Sequence, residues 1–309
     1  MYASSWLSDL SAITSVENAT QKPASIVMWY QGWGAGKGED FQTSWMDNVR
    51  NHGAIPLVTW EPWNYKQTQK SAWSGYSLKD ILNGTYDAYI TKWAQDSKAW
   101  GHPFFLRFAA EMNGYWFPWS EGVNGNTKGQ FVQAWKHVHD IFTAQGATNV
   151  SWLWCPNVEW SHSIPLRELY PGNDYVDWIG MDGYNWSTVY GHKWQTFSQI
   201  FQYTYNDILS MGTHKPLMIA ETASAERGHD KAGWITDAFL NVLPKAFPEI
   251  KAFVWFNENK ETDWRIQSSA SARAAFAKAV SSPIYASNQY ASLDTSPIPT
   301  PANSNAAKR

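Results

Sequence analysis

Lys215-Pro216-Leu217-Met218-Ile219-Ala220-Glu221 is a short apolar run that ends in a carboxylate. It is too brief and too evenly apolar for a surface helix, and it reads as a strand, Pro216–Glu221, buried on both faces. Before it lies an amphipathic stretch, Trp194–Met211, that stops at Gly212, and after it lies another, Lys231–Ala246. A helix on either side of a fully buried strand is the repeat unit of a parallel sheet.

Working outward, the same unit recurs along the chain. Further strands are expected at Ile26–Tyr30, Ala54–Trp60, Pro103–Phe108, Ser151–Cys155, Asp177–Met181 and Ala252–Phe256. Helices are expected at Trp6–Val16, Phe41–Asn51, Thr85–Trp100, Gly129–Gln145 and Ser269–Val280, several of them closed by Gly53, Gly101 or Gly146. An eighth strand has only Met1–Ser4 available to it. The 309 residues suit a (β/α)8 TIM barrel, for which about 250 are typical. A doubly wound open sheet is the alternative, although no Gly-rich phosphate turn follows the first strand. The barrel is assigned to residues 1–285 as a single catalytic domain. Residues 286–309 are Pro-, Ser- and Thr-rich, as in Thr295-Ser296-Pro297-Ile298-Pro299-Thr300-Pro301, and read as a flexible tail or linker to further modules. That suggests a secreted, modular protein, although no signal peptide precedes the domain in this chain.

The net charge of −3 is spread evenly and points to neither nucleic acid nor an anionic membrane. No run of about 18 apolar residues offers a membrane span. The single cysteine, Cys155, lies in an apolar run and reads as a buried small residue. His137 and His139 sit two apart in a helical stretch and make a poor metal pair. Gly34-Ala35-Gly36-Lys37-Gly38 lacks the spacing of a phosphate loop. The unusual quantity is aromatic: 21 Trp, 15 Tyr and 14 Phe. Part of it fills a core, but many Trp fall in loop-like segments, where flat rings stack on the C–H faces of sugars.

Active sites of parallel barrels sit at the C-terminal ends of the strands. Two carboxylates stand there: Glu111, three residues past Phe108, and Glu221. Counting Met1–Ser4 as the first strand, they follow strands four and seven, on opposite sides of the mouth. Hydrolysis of a glycosidic bond uses such a pair, about 5–5.5 Å apart when configuration is retained and about 6.5–9.5 Å apart when it is inverted. This chemistry calls for no metal and no cofactor. Trp60, Glu61 and Trp63 in Thr59-Trp60-Glu61-Pro62-Trp63, together with Trp116, Trp119, Trp186 and Trp264, are candidates to line a cleft. Glu61, and more weakly Asn157, read as hydroxyl-binding residues. Glu258 and Asp263 follow the last strand in a polar loop and read as solvated.

The segment Arg107-Phe108-Ala109-Ala110-Glu111-Met112-Asn113-Gly114-Tyr115-Trp116-Phe117-Pro118-Trp119 resembles the acid/base motif of glycoside hydrolase family 26. Asp177-Trp178-Ile179-Gly180-Met181-Asp182-Gly183-Tyr184-Asn185-Trp186 and Ile219-Ala220-Glu221-Thr222-Ala223-Ser224 resemble that family's sixth strand and nucleophile strand. The likeness runs from about Trp6 to Val280. It implies a (β/α)8 barrel and a retaining double displacement, with Glu111 as acid/base and Glu221 as nucleophile. It further implies that Tyr184 holds the nucleophile, that Arg107 adds positive charge beneath the site, and that Asn113 contacts the sugar or a neighbouring group. Trp255 becomes the platform under the sugar being attacked. One departure bears on substrate. The family's mannanases carry His just before the acid/base, and here the residue is Ala110. A small group there resembles the mixed-linkage β-1,3-1,4-glucanase (lichenase) branch, with endo-β-1,4-mannanase and then β-1,3-xylanase as alternatives. The expected partner is a polysaccharide bound by a monomer. A non-catalytic carbohydrate-binding barrel would keep the Trp platforms without needing both glutamates. An enzyme of phosphorylated substrates would want an anion nest after the last strands, which Ala220-Glu221-Thr222 and Trp255-Phe256-Asn257 do not supply.

Overall fold

The computed structural model describes residues 1–2, 7–34, 39–64, 73, 75–286 and 292–301. In chain order the main elements are α1 (Ser11–Thr20), β1 (Ile26–Gly32), α2 (Thr43–Asn51), β2 (Ile55–Glu61), α3 (Leu78–Leu82) and α4 (Asp87–Trp100). Next come β3 (Phe104–Phe108), α5 (Gln130–Gln145), β4 (Val150–Trp154), α6 (Leu166–Leu169), β5 (Trp178–Asn185) and α7 (Phe197–Ser210). The chain continues through β6 (Leu217–Ser224), α8 (Lys231–Thr236), α9 (Leu243–Ala246), β7 (Ile250–Trp255) and α10 (Ala270–Val280). The seven strands form one curled parallel sheet in sequence order. Met1 and Tyr2 stand between its two edges. Tyr2 pairs in parallel with Met28, the Tyr2 N–H donates to Trp255 O at 3.1 Å, and the Met28 N–H donates to Met1 O at 2.8 Å. These two residues occupy the place of the eighth strand, and the rest of that expected strand lies outside the described residues. The fold is a (β/α)8 barrel.

The expected helices form with shifted bounds. α1 begins at Ser11 because the Asp9 carboxylate accepts the Ser11 N–H, and it ends at Gln21, which takes a left-handed φ of 55° before Pro23. The start expected at Trp6 lies outside the described residues, as do positions 35–38 of the glycine-rich loop. The single helix expected over Lys231–Ala246 is interrupted by a π-helical turn, Asp237–Val242, just before Pro244, which has no N–H to continue a regular ladder. Two short helices, α3 and α6, have no counterpart in the sequence reading. Ser77 and Asp80 close a capping box at the start of α3.

Side chains alternate between two apolar layers. Ile26, Met28, Ile55, Leu57, Phe105, Leu153, Trp178, Met218 and Val254 fill the barrel interior, while neighbours such as Val27, Val58, Trp60, Leu106, Trp152 and Trp255 pack beneath the helices. Ile298 also enters the interior cluster, at 4% exposure. Its N–H donates to Ser151 Oγ at 2.8 Å, and its carbonyl accepts the Trp178 indole N–H at 2.8 Å. Ser296 Oγ reaches Val150 O, and Arg50 holds Leu293 O. Residues 292–301 therefore lie as a strap across the floor of the barrel, which corrects the expectation of a free tail for this part of the chain. Composition hides the strap because proline removes donors without preventing one isoleucine from filling a void. Ile298→Ala is expected to lower the unfolding free energy by about 2–5 kcal/mol and to leave kcat/KM unchanged, because the floor lies opposite the active end. Urea titration checks this, and a change within about ±0.5 kcal/mol, the range of a surface substitution, would refute the docked strap.

Candidate active site

Strand alternation and one irregularity build the site. From Met218 inward and Ile219 outward, Ala220 points inward and Glu221 should point away. The pairing slips there: Met181 faces Ile219 but Asp182 faces Glu221, and on the other side Phe253 faces Ile219 while Trp255 faces Thr222. One extra residue on β6 thus turns Glu221 back toward the mouth, as β-bulges do. The residue is 6% exposed. Oε1 accepts the Tyr30 hydroxyl and Arg107 Nη1, and Oε2 accepts the Tyr184 hydroxyl.

Arg107, on β3, is buried. Its fork spans two carboxylates, Glu221 at Nη1 and Asp182 at Nη2, and Nη1 also donates to Thr59 Oγ1 at 3.1 Å. This is the bidentate geometry that a guanidinium supplies and an ammonium does not.

Glu111 stands across the mouth on a strained turn. Ala109 and Glu111 take φ of 45° and 55°, a region that non-glycine residues rarely enter unless the surroundings hold them there. The Glu111 N–H donates to Cys155 O at 2.8 Å. Oε1 accepts Asn157 Nδ2 and Oε2 accepts Trp116 Nε1, each at 2.7 Å. Burial, and next the Glu221 charge, push the Glu111 carboxyl above its ordinary range, while Asn157, Arg107 and Trp116 oppose the rise. Nearby, Glu61 points inward at the end of β2, with Oε2 accepting Trp63 Nε1 at 2.9 Å. Burial pushes it up to about 7.

The expected residues divide into two sets. Glu111, Glu221, Arg107, Tyr184, Glu61, Trp63 and Trp116 come together at the mouth. Trp116 stacks on Trp160 with centroids 5.2 Å apart, and half-buried Trp186 stacks on His192 and meets Trp264 edge-on. Asn113 is 1% exposed. It pairs with the backbone of Asn157 in both directions, each bond 2.9 Å long, so it positions Asn157 instead of touching sugar. Trp60, Trp119 and Trp255 do not present stacking faces to a cleft, so the cleft-lining role expected for Trp60 and Trp119 and the platform role expected for Trp255 are corrected. By alternation Trp60 and Trp255 face the helical layer. Trp60 packs on Trp93 at 4.7 Å. Trp255 packs among Trp234, Phe239 and Phe276, with its indole N–H on Trp264 O. Trp119 is fully buried, stacked against Phe117, and donates to Ala110 O. Trp264 is likewise buried, at 1% exposure. Asp263 is tied to Arg265, and the Glu258 carbonyl accepts the Trp264 N–H.

Sequence reasoning missed Tyr30 and Asp182 as site residues. Both were accessible to strict alternation. Ile26, Met28 and Tyr30 share the inner face of β1, and Trp178 places Asp182 on the inner face of β5. An acid in the middle of an apolar strand needs a buried partner, and Arg107 is the candidate in view.

Comparison with known proteins agrees with this fold. The model of Glycosyl hydrolase family 26 matches residues 17–229. The chain is 42% identical over 281 residues to Endoglucanase H of Acetivibrio thermocellus, covering 87% of this chain and 29% of that protein. It is 23% identical over 214 residues to Beta-1,3-xylanase TXYA of a Vibrio species, covering 61% of this chain and 42% of that protein. The chain thus spans less than half the length of either relative. Among solved structures, the catalytic domain of the Bacillus sp. JAMB-750 GH26 endo-β-1,4-mannanase superposes with a TM-score of 0.67 at 18% identity, covering 90% of this chain and 81% of that one, a likeness of fold. With its barrel, its paired glutamates and a family match over residues 17–229, this chain belongs to glycosyl hydrolase family 26.

Proposed function

We propose that the protein is a retaining endo-β-glycanase whose preferred substrate is mixed-linkage β-1,3-1,4-glucan. The observation that carries the reading is the contrast between two glutamates at one barrel mouth. Glu221 receives three donors, one of them a guanidinium. Glu111 receives two neutral N–H donors and is pushed toward its protonated form by burial and by Glu221. Two carboxyls held in such different hydrogen-bonding surroundings divide the roles of acid and nucleophile.

Glu111 gives its proton to the departing glycosidic oxygen as Glu221 attacks the anomeric carbon, forming a glycosyl ester. Glu111 then takes a proton from water, which displaces Glu221 with a second inversion. Tyr30, Tyr184 and Arg107 hold Glu221 for attack, and Asn157 and Trp116 aim Glu111. Glu61, Trp63, Trp116 and Trp186 are read as contacts to sugars along the cleft. A series of such contacts favours internal cleavage. A glucan is supported by the 42% identity to a protein named Endoglucanase H and by Ala110 in place of histidine. Residues 1–285 are taken as the catalytic domain of a secreted, monomeric enzyme.

The test is reducing-end release from barley β-glucan, glucomannan, galactomannan and β-1,3-xylan side by side, with Glu111→Ala as control. The β-glucan is expected to be the best substrate. Faster release from galactomannan would overturn the substrate assignment, and release from none of the four would overturn the glycanase reading.

A further inference from the structure

We infer that Cys155 and Asp182 form a positioning unit that joins the acid/base turn to the clamp on the nucleophile. The inference rests on the assignment of Glu111 and Glu221 above. Cys155 follows β4, is fully buried, and belongs to the interior cluster. It meets both halves of the site with different atoms. Its carbonyl accepts the Glu111 N–H at 2.8 Å, which anchors the turn that carries left-handed Ala109 and Glu111. Its thiol donates to Asp182 Oδ1, with sulfur and oxygen 3.2 Å apart. The other Asp182 oxygen pairs with Arg107 Nη2, and Arg107 Nη1 holds Glu221. A continuous chain of contacts therefore runs from thiol to carboxylate to guanidinium to nucleophile.

The neighbouring strand makes room for the sulfur. A Cβ placed on Gly180 would lie 2.6 Å from Cys155 Sγ and 2.9 Å from its Cβ, so any side chain on this inward position of β5 would displace the thiol. Alanine at 155 keeps only the Cβ and leaves the place of the sulfur empty, whereas serine keeps a donor near that place, so the two variants separate the donor from the volume.

Charge gives the contact its consequence. Asp182 is faced by Arg107 from β3, Glu111 from the turn after it, Cys155 after β4, Tyr184 from β5, Glu221 from β6 and Tyr30 from β1. One cation serves two buried carboxylates. Burial pushes Asp182 up, Arg107 opposes, Glu221 and Glu111 add to the rise, and the thiol donor again opposes. Burial also keeps Cys155 in its thiol form, so it remains a donor. Without that donor Asp182 takes a proton at higher pH, and a neutral Asp182 no longer holds the far side of the Arg107 fork.

Two measurements test the unit separately. With one cysteine in the chain, the infrared S–H stretch is a single band. It is expected to be red-shifted from that of a free thiol in the wild type and to move back toward the free position in Asp182→Asn. A wild-type band at the free-thiol position overturns the inference, whatever the substrate proves to be. In kinetics on the best β-glycan substrate, Cys155→Ala is expected to lower kcat about fivefold to tenfold with KM unchanged, the scale of about one ordinary hydrogen bond. It is also expected to move the acidic limb of the kcat profile to higher pH. Cys155→Ser restores a donor and is expected to keep the wild-type kcat and limb, with thermal midpoints recorded for both variants. Wild-type kcat and acidic limb in Cys155→Ala, or an equal loss in both variants, would show that the sulfur only fills space. Absence of wild-type turnover would count against the glycanase reading, and the infrared band would still decide the contact.

Discussion

Glu221→Ala is expected to lower kcat to below about one ten-thousandth of the wild-type value, the scale on which removing one member of a catalytic unit acts, while the protein stays folded. Folding survives because Arg107 keeps Asp182 as its counter-ion, so the change removes one of two anions facing one cation and strands no buried charge. Added azide is expected to restore turnover by attacking the anomeric carbon from the vacated side, giving a glycosyl azide of inverted configuration. Glu111→Ala should behave differently. It removes the proton donor, so activity falls on the polysaccharide and survives on aryl glycosides whose leaving group needs no proton. Azide then intercepts the glycosyl ester and gives a product of retained configuration. The wild-type pH profile follows from the same residue. Glu111 must carry a proton in the first step, and burial together with Glu221 raises it, so activity is expected to fall as pH rises through that raised value. Turnover by Glu221→Ala above about a hundredth of wild type without azide would sink the assignment of the nucleophile.

Arg107→Met carries the other large effect. It leaves Asp182 and Glu221, 0% and 6% exposed, facing each other in the barrel without a cation. Breaking a buried pair at one partner destabilises by about 3–5 kcal/mol, because the stranded charge cannot be rehydrated. The loss should appear in the urea midpoint of unfolding, and kcat should fall with it because Glu221 loses its charged donor. The sign with pH is definite. Burial already pushes Asp182 up and Arg107 opposes the rise; without the guanidinium Asp182 gains proton affinity in the folded state, so the deficit is largest at neutral pH and shrinks as pH falls through its raised value. Arg107→Met combined with Asp182→Asn removes one stranded charge and should recover part of the stability, a non-additivity expected of groups in direct contact. Arg107→Lys should be intermediate, since one ammonium cannot fork to two carboxylates. A loss of under about 1 kcal/mol, the worth of an exposed pair, would mean that the fork is not the keystone of the site.

The sequence by itself determined the barrel, because seven short apolar runs separated by amphipathic stretches leave few alternatives to a parallel sheet wrapped in helices. It also placed Glu111 and Glu221 at the active end, since a strand end is legible from where the apolar run stops. Local signals failed where a distant partner decides. Alternation alone would turn Glu221 outward, and only the slipped pairing of β6 against β5 and β7 brings it in. Tryptophan content suggested Trp60 and Trp119 as cleft-lining rings and the family resemblance suggested Trp255 as a platform, but a ring's identity does not say which layer it faces, and tertiary packing put all three in the core. The strap at Ile298 has the composition of a linker, and its place is set by a void between the starts of β4 and β5, more than a hundred residues away along the chain. What depended on local periodicity was readable in advance. What depended on register, on the face of a strand, or on a partner far along the chain was settled only once the barrel had closed, because those contacts form between residues that sequence proximity does not connect.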